Sequence, residues 1–371
     1  MKDSFADYIS TLDRFISGSL AGDISELDTQ ATFDELALRL FSLQYRHVEP
    51  YKRLCESRRV TPSNVEDWNR IPTVSTVAFR EFPMTSLPPE RRPFVFHSSG
   101  STQRNPCRHF HDEESIRIYK NSLLPWFERH LLPDAPAPRG LLALTPPAAS
   151  APHSSLVHMF ETVRRNFDWT STVFCGVIDD GGTWQLDSVR CLGTIENAVE
   201  SELSLVILGT AFNFVHLIDL LTQRRLCLQL PMGSRIMETG GYKGRSREMP
   251  KSQLHESIAE RLGTAATQIV CEYGMCEASS QAYDHVAGAG ALNSARVFRL
   301  PPWARARIVS PETGNEVAEG ESGLIEIFDL ANVRSVMGIQ TEDIGVRRGD
   351  GFELIGRARQ AEARGCSLMA Q

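Results

Sequence analysis

Hydroxyl, carboxylate, guanidinium and thiol groups recur along this chain wherever a backbone turn can present them to a phosphorylated ligand. The segment "HSSGSTQRNP" sets the hydroxyls of Ser98, Ser99, Ser101 and Thr102 around Gly100, directly after the apolar run "FVF". Backbone N–H groups and hydroxyls in such a loop can wrap a phosphate, and glycine permits the tight backbone this needs. It is not a Walker loop, because no Gly-Lys-Ser/Thr follows. "CEYGMCEASS" offers Tyr273 as a flat ring for stacking, Gly274 for close approach and Glu277 as an oxygen ligand suited to Mg²⁺. "METGGYKG" adds Gly240 and Gly241 beside Lys243. Asp343 in "TEDIG" can accept hydrogen bonds from ribose hydroxyls, and Arg357 can bind ribose or phosphate. Cys366 is a nucleophile with Arg359 and Arg364 close by in sequence, and such cations bias a thiol toward the thiolate. Taken singly, each of these is an ordinary loop, strand end or surface charge. His109 and His111 in "RHFH" fall on one side of a strand, yet no third ligand accompanies them for a metal.

The elements that must position these groups alternate in type. Residues 1–90 read as a helical segment and linker: "FDELALRLFSLQYRHVEPYKRLC" sets Leu36, Leu40, Leu43 and Tyr45 near one helical face, and the five prolines of "NRIPTVSTVAFREFPMTSLPPERRP" follow as an extended passage. Residues 91–292 alternate short apolar runs with helical ones. "GLLALT", "TVFCGVI", "LSLVILGT", "SRIMETG" and "QIVCEYG" predict strands; a helix opened by Ser154 or Ser155, "FNFVHLIDLLTQRR" and "PKSQLHESIAERLG", with Pro250 in its first turn, predict helices. Such alternation implies an α/β core, a mainly parallel sheet covered by helices. Residues 293–371 predict a small strand-rich subdomain from "ARVFRL", "RARIVS", "GLIEIFDL" and "GFELIG", separated by Pro-Glu-Thr-Gly and Gly-Asp-Gly turns.

Composition removes several classes of function. With 42% hydrophobic and 23% charged residues, the 371-residue chain has ample material for a large buried core. Its net charge of -7 is interspersed, with no basic run to neutralise a nucleic-acid backbone. The sequence shows no basic, apolar and small-residue leader and no apolar stretch of about 18 residues, so no membrane insertion and a cytoplasmic location are expected. The eight cysteines form no CxxC pair, which argues against a disulfide framework or a zinc site; seven are expected to be small core residues. HExxH, GxSxG and a complete GxGxxG are all missing, and with them the usual support for metalloprotease, α/β-hydrolase and dinucleotide chemistry.

Order along the chain is more specific than any one segment. The hydroxyl-rich loop, Tyr-Gly-x-x-Glu, an Asp before a Gly and a Gly-Arg pair resemble, in sequence order, the core motifs of the adenylate-forming superfamily of acyl and aryl acid ligases. Within it, "LQYRHVEPYKRLC", "HSSLVHM", "GTAFNFVHLI", "METGGYKGR", "EYGMCEASSQAYD" and "GRARQAEARGCSL" resemble the LuxE-type acyl-protein synthetases, the fatty acid reductase component of bacterial luminescence. That resemblance implies the large N-terminal domain of the superfamily without its mobile C-terminal domain and its catalytic lysine. It implies ATP and Mg²⁺ as cofactors, with Ser98 through Thr102 on the phosphates, Tyr273 and Gly274 at the adenine, Glu277 on Mg²⁺ and Asp343 on the ribose. Gly209, Phe212, Phe214 and His158 would line the acid pocket, and Cys366 would receive the acyl group. Lys243 or Arg245 is the candidate cation in place of the missing lysine. Two departures from the superfamily pattern stand out: the phosphate loop continues as Gln103, Arg104, Asn105, Pro106 and Cys107 where Gly and Pro-Lys are usual, and Cys276 stands where a Thr usually precedes the glutamate. The implied reaction is ATP-dependent activation of a carboxylic acid, then acyl transfer to Cys366 and on to a partner acyl reductase. Two other readings stay open: a ligase that hands the acyl or aryl group to coenzyme A or a carrier protein, and a non-catalytic nucleotide-binding subunit of a reductase.

Overall fold

The computed structural model describes residues 4–21, 25–98, 106–134, 139–240, 249–289 and 296–358. The chain divides into two compact units that do not follow sequence order. The first holds residues 1–125, 275–282 and 297–371, the second 126–274 and 283–296. The N-terminal helices and the C-terminal strands, which the sequence places in separate segments, therefore share one unit.

In the first unit three helices open the chain: α1 (Phe5–Ala21), α2 (Glu26–His47) and α3 (Glu49–Ser57). The Ser25 side chain caps α2 by accepting the Asp28 N–H. The helical stretch expected to run through to Cys55 is broken at Val48, because Pro50 has no N–H for a continuous helix and fits instead in the first turn of α3. Leu36, Leu40 and Leu43 are buried as their spacing predicts, and Tyr45 is half-buried at the edge of the stripe.

Strands β12 (Ala304–Val309), β13 (Ser322–Asp329), β14 (Gly338–Arg348) and β15 (Gly351–Arg357) form an antiparallel meander, and the short β1 (Val74–Ser75) joins β14 in parallel. "ARVFRL" is not a full strand here: it contributes an isolated bridge, Phe298 to Phe352. Helix α4 (Ala78–Glu81) precedes the hairpin of β2 (Phe94–His97) and β3 (Arg108–His111), whose register opposes His97 to Arg108. Buried hydrogen bonds fasten the helices to the meander. Gln44 donates to the Asn332 carbonyl at 2.8 Å and accepts from the Met337 N–H at 3.0 Å, while the Tyr51 hydroxyl donates to the Pro72 carbonyl at 2.8 Å. Helix α5 (Glu113–Leu131) follows the hairpin.

The second unit is built on parallel strands in the order β10 (Ile269–Tyr273), β9 (Arg235–Thr239), β8 (Ser204–Thr210), β4 (Arg139–Ala143) and β5 (Ser171–Phe174). Helices α6 (Ser155–Asn166), α7 (Ser188–Glu200), α8 (Ala211–Gln223) and α9 (Lys251–Leu262) connect or follow them, which is the covered parallel sheet expected from the alternation. Its core joins Leu142, Leu205, Ile207 and Ile236 of the sheet to Ile195 of α7, Phe214 of α8 and Ile258 of α9. The helix starts are chemically specified: Ser154 caps α6, Asp187 caps α7, and Thr210 forms a reciprocal capping box with Asn213 at α8. Pro250 takes the capping position of α9, one residue before the first turn where the sequence suggested it.

"TVFCGVI" does not run as one strand. It bends at Cys175 into β5 and then β6 (Gly176–Ile178), which pairs with β7 (Trp184–Leu186) as a separate hairpin. A Cβ at Gly176 would stand 2.2 Å from the backbone of Thr145 and Pro146, so only glycine allows this crossing. The two-residue strand β11 (Ala282–Tyr283) completes the elements. Six of the seven described cysteines are buried as expected; Cys227 is exposed, past the end of α8 and outside the core-facing stripe. Among the described residues no helix is long and apolar enough to cross a membrane.

Candidate active site

The candidate site residues are described in the unit that holds each. In the second unit, β8, β9 and β10 are neighbours and parallel, so their carboxyl ends lie side by side. Three segments distant in sequence are thereby brought to one edge: Gly209 at the end of β8, Gly240 just past β9, and Tyr273 with Gly274 at the end of β10. The carboxyl edge of a parallel sheet is where open α/β folds bind ligands. Gly240 has φ 69°, the left-handed region that favours glycine, and nothing stands within 4 Å of where its Cβ would be.

Glu272, which no motif in the sequence marks, ties two of these exits together. Thr239, the last residue of β9, donates its hydroxyl to the buried Glu272 carboxyl on β10. Burial, with Glu238 on the adjacent strand adding to it, pushes that carboxyl up to about 7 against the opposing bond from Thr239.

The residues expected to line an acid pocket separate into two groups. Phe214 is fully buried in the sheet-facing core, and Gly209 packs tightly there: its Cβ would meet Leu144 at 3.0 Å and Phe214 at 3.2 Å. Phe212 stands in the first turn of α8, half-buried, with its ring 4.4 Å from that of His216. These two rings, together with Trp184, Gln185 and Leu186 of β7, line a cleft of about 570 Å³. His158 lies on α6, half-buried.

The first unit holds the candidate phosphate and metal groups. The hairpin closes tightly: the Ser98 N–H donates to the Cys107 carbonyl at 3.1 Å, and the Cys107 N–H donates to the Ser98 Oγ at 3.0 Å. Ser98 is thus engaged in fastening the hairpin, with its own hydroxyl proton still able to donate. Glu277 is held beside it by its backbone. The Asn332 amide donates to the Glu277 carbonyl at 2.9 Å, and Ser279 and Ser280 donate their N–H groups to Asp329 at 2.8 Å each. His109, on β3, contacts the Cys276 carbonyl through Nδ1 at 2.9 Å. Burial lowers the His109 pKa to about 4, so the ring is neutral and donates there.

The buried Glu277 carboxylate is met by thiols. Cys276 donates through Sγ at 3.1 Å, while the Cys107 thiol, near enough to feel the same charge, donates to the Thr76 carbonyl at 3.3 Å. Burial first and Glu277 second push the Cys107 thiol up to about 11, and the same two causes raise Cys276 well above the ordinary thiol range. Both remain protonated donors at neutral pH. A thiol is a weak donor that a metal ion displaces at little cost, and a single carboxylate working with substrate phosphates is a common Mg²⁺ environment. Glu277 therefore fits the metal role, and among the described residues no cluster of three or more His, Cys, Asp or Glu side chains offers a metal cage.

Asp343 of β14 faces Arg357 of β15 across the ladder, with Nε and Oδ1 3.8 Å apart. The two residues singled out separately in sequence thus form a pair. Ser99, Gly100, Ser101, Thr102, Gly241, Lys243, Arg245 and Cys366 lie outside the described residues.

With this geometry, comparison with known proteins is decisive at the level of family. The family model for acyl-protein synthetase, LuxE, matches residues 6–371. The chain belongs to the LuxE acyl-protein synthetase family. It is 22% identical over 349 residues to a long-chain-fatty-acid–luciferin-component ligase of Vibrio harveyi, covering 88% of this chain and 84% of that one. A shorter match, 35% over 78 residues, relates it to the ligase of the same name from Aliivibrio fischeri and spans 19% of this chain and 21% of that relative. Among solved structures, an open conformation of 2-hydroxyisobutyryl-CoA ligase in complex with 2-HIB-AMP and CoA aligns with TM-score 0.64 at 15% identity. That alignment covers 88% of this chain and 75% of the ligase. The same ligase in its thioesterification state aligns with TM-score 0.65 over 68% of its length. These likenesses show that the chain has the fold of the adenylate-forming ligases.

Proposed function

We propose that this acyl-protein synthetase uses ATP to convert a long-chain fatty acid into an acyl-adenylate, transfers the acyl group to Cys366 as a thioester, and delivers it to a partner acyl reductase. The observation that carries the reading is the family match over residues 6–371. It is supported within the second unit by the meeting of Gly209, Gly240 and Tyr273 at one sheet edge, and within the first by the buried Glu277 carboxylate beside Ser98 and Cys107. In the first half-reaction a carboxylate oxygen attacks the α-phosphorus of ATP and pyrophosphate leaves with the bond pair. In the second, the Cys366 thiolate attacks the acyl carbon and AMP leaves. Tyr273 borders the adenine, Asp343 holds the ribose, Ser98 through Thr102 face the phosphates, and Phe212 with His158 borders the acid. Glu277 would hold Mg²⁺, which supplies charge neutralisation on the phosphates when bound. The relatives from Vibrio harveyi and Aliivibrio fischeri carry the substrate in their names, and a cytoplasmic setting would provide the ATP.

Pyrophosphate exchange into ATP over a panel of acids from short to long chains, with aryl acids included, tests activation. Exchange that rises with chain length is expected, and background exchange with every acid would refute the reading. The acceptor is tested separately with Cys366→Ala, which keeps exchange near wild type and loses the hydroxylamine-labile acyl label on the protein. A label on another cysteine, or coenzyme A as the only competent acceptor, would remove Cys366 from that role.

A further inference from the structure

The stretch "PTVSTVAFREFP" looks like linker in sequence, yet it delivers a cation to the Glu277 site. Arg80 stands on α4, with its side chain 19% exposed, and its guanidinium Nη2 lies 3.6 Å from Glu342 Oε2. The Cys107 thiol, which donates to the Thr76 carbonyl at 3.3 Å, and the Glu277 carboxylate both lie near enough to that guanidinium to favour its charge. Cys107 is the residue that closes the β2–β3 hairpin on Ser98, so Arg80 reaches the base of the candidate phosphate loop and the candidate metal carboxylate at once. The backbone of α4 is tied to the same hairpin: Arg108, opposite His97 at its loop end, donates through Nη2 to the Arg80 carbonyl at 3.5 Å. Burial disfavours the charge on Arg80, but Cys107, Glu342 and Glu277 together outweigh burial and raise its pKa, so the group is a permanent cation.

The ion pair with Glu342 does not engage the guanidinium's full donor set. The contact is long, it involves a single nitrogen, and the Glu342 side chain is 33% exposed, the kind of ion pair that contributes little. A polyphosphate offers the same guanidinium several oxygens in a fork geometry that a carboxylate 3.6 Å away does not provide.

We propose that Arg80 is a catalytic residue of the adenylation step, binding the β- and γ-phosphoryl oxygens of ATP and the pyrophosphate that departs, beside Glu277. This rests on the ATP-dependent activation proposed above and deepens it. As the acid's carboxylate oxygen bonds to the α-phosphorus, the bond from that phosphorus to the bridging oxygen breaks and its electron pair leaves on pyrophosphate. No proton need move, and the growing charge on the leaving group is met by the N–H donors of Arg80.

The test compares ATP with AMP, which lacks the phosphates that Arg80 would touch. Equilibrium binding of each nucleotide and acid-dependent pyrophosphate exchange are measured for the wild type, Arg80→Met, Arg80→Lys and Glu342→Gln, with thermal melting of each. Arg80→Met should weaken ATP about tenfold or more while AMP binding holds, raise the KM for pyrophosphate, and cut exchange about 10²-fold. Arg80→Lys should recover part of both losses, and free guanidinium ion should partly rescue the Met variant. Glu342→Gln should bind ATP at least as tightly as wild type, since it releases the cation without removing it. Equal losses of ATP and AMP affinity, a Glu342→Gln phenotype matching Arg80→Met, or Arg80→Met exchange within about threefold of wild type with an unchanged KM for pyrophosphate would each overturn the assignment, the effect expected of a lost donor being far larger. If the wild type binds ATP but exchanges with no acid, the activation reading fails, and the ATP to AMP comparison still decides whether Arg80 meets the phosphates.

Discussion

Replacing Glu272 by glutamine should stabilise the protein in neutral and alkaline solution while leaving it unchanged in acid. The carboxyl is buried on β10 beside β9, and burial together with Glu238 raises it from 4.5 to about 7. Between these two values the unfolded chain has lost the proton and the folded chain still holds it. Stability therefore declines as pH rises through that window and levels off above the folded value. At about 1.4 kcal/mol per pH unit the full decline is at most about 3.5 kcal/mol. A glutamine is neutral throughout, keeps an oxygen to accept the Thr239 hydroxyl, and removes the proton linkage. Glu272→Gln should thus match wild type near pH 4.5 and exceed it by up to about 3.5 kcal/mol at pH 8, the linkage integral just described. Urea unfolding across this range measures the difference, and hydrogen exchange of the β9 and β10 peptides keeps the measurement local, since a chain with two compact units need not unfold in one step. Parallel pH curves for the two proteins would show that Glu272 does not carry the proton and that the reasoning from burial is wrong. There is a functional corollary. Thr239 precedes Gly240 and Glu272 precedes Tyr273, so the protonation state of this one carboxyl is felt at two of the candidate nucleotide segments together.

Gly209→Ala places a methyl 3.0 Å from Leu144 and 3.2 Å from Phe214, and should lower stability by about 1–3 kcal/mol in chemical unfolding; an unchanged midpoint would mean the β8 exit is looser than its packing indicates. Glu277→Gln keeps the side-chain volume but removes the charge for Mg²⁺, so pyrophosphate exchange should fall about 10²-fold with melting within a few degrees of wild type. Full exchange in that variant would take Glu277 out of the metal role. Asp343→Ala should raise the ATP dissociation constant about tenfold with a smaller effect on turnover, because a ribose contact is nearly the same in ground and transition states. A large loss of turnover at saturating ATP would contradict that role.

Most of the framework is legible in the residues themselves, because the signals are local. Alternating apolar runs and caps mark β8, α8, β9, α9 and β10, and Thr210 with Asn213 specifies where α8 begins. The motif order carries the family for the same reason: backbone turns and glycines that shape a ligand's surroundings leave a trace at short range. What only the tertiary structure decides is which distant groups meet. Parallel order in the sheet sets the exits of β8, β9 and β10 side by side, and cross-strand register pairs Asp343 with Arg357. Glu272 looks like any strand glutamate until burial raises its carboxyl, and Arg80 like any linker arginine until α4 packs beside the hairpin that Cys107 closes. Phe214 and Phe212 are two residues apart and equally aromatic, yet the helical turn sends one into the core and the other to the cleft. Charge, burial and field are sums over neighbours far apart in the chain, so no local pattern encodes them.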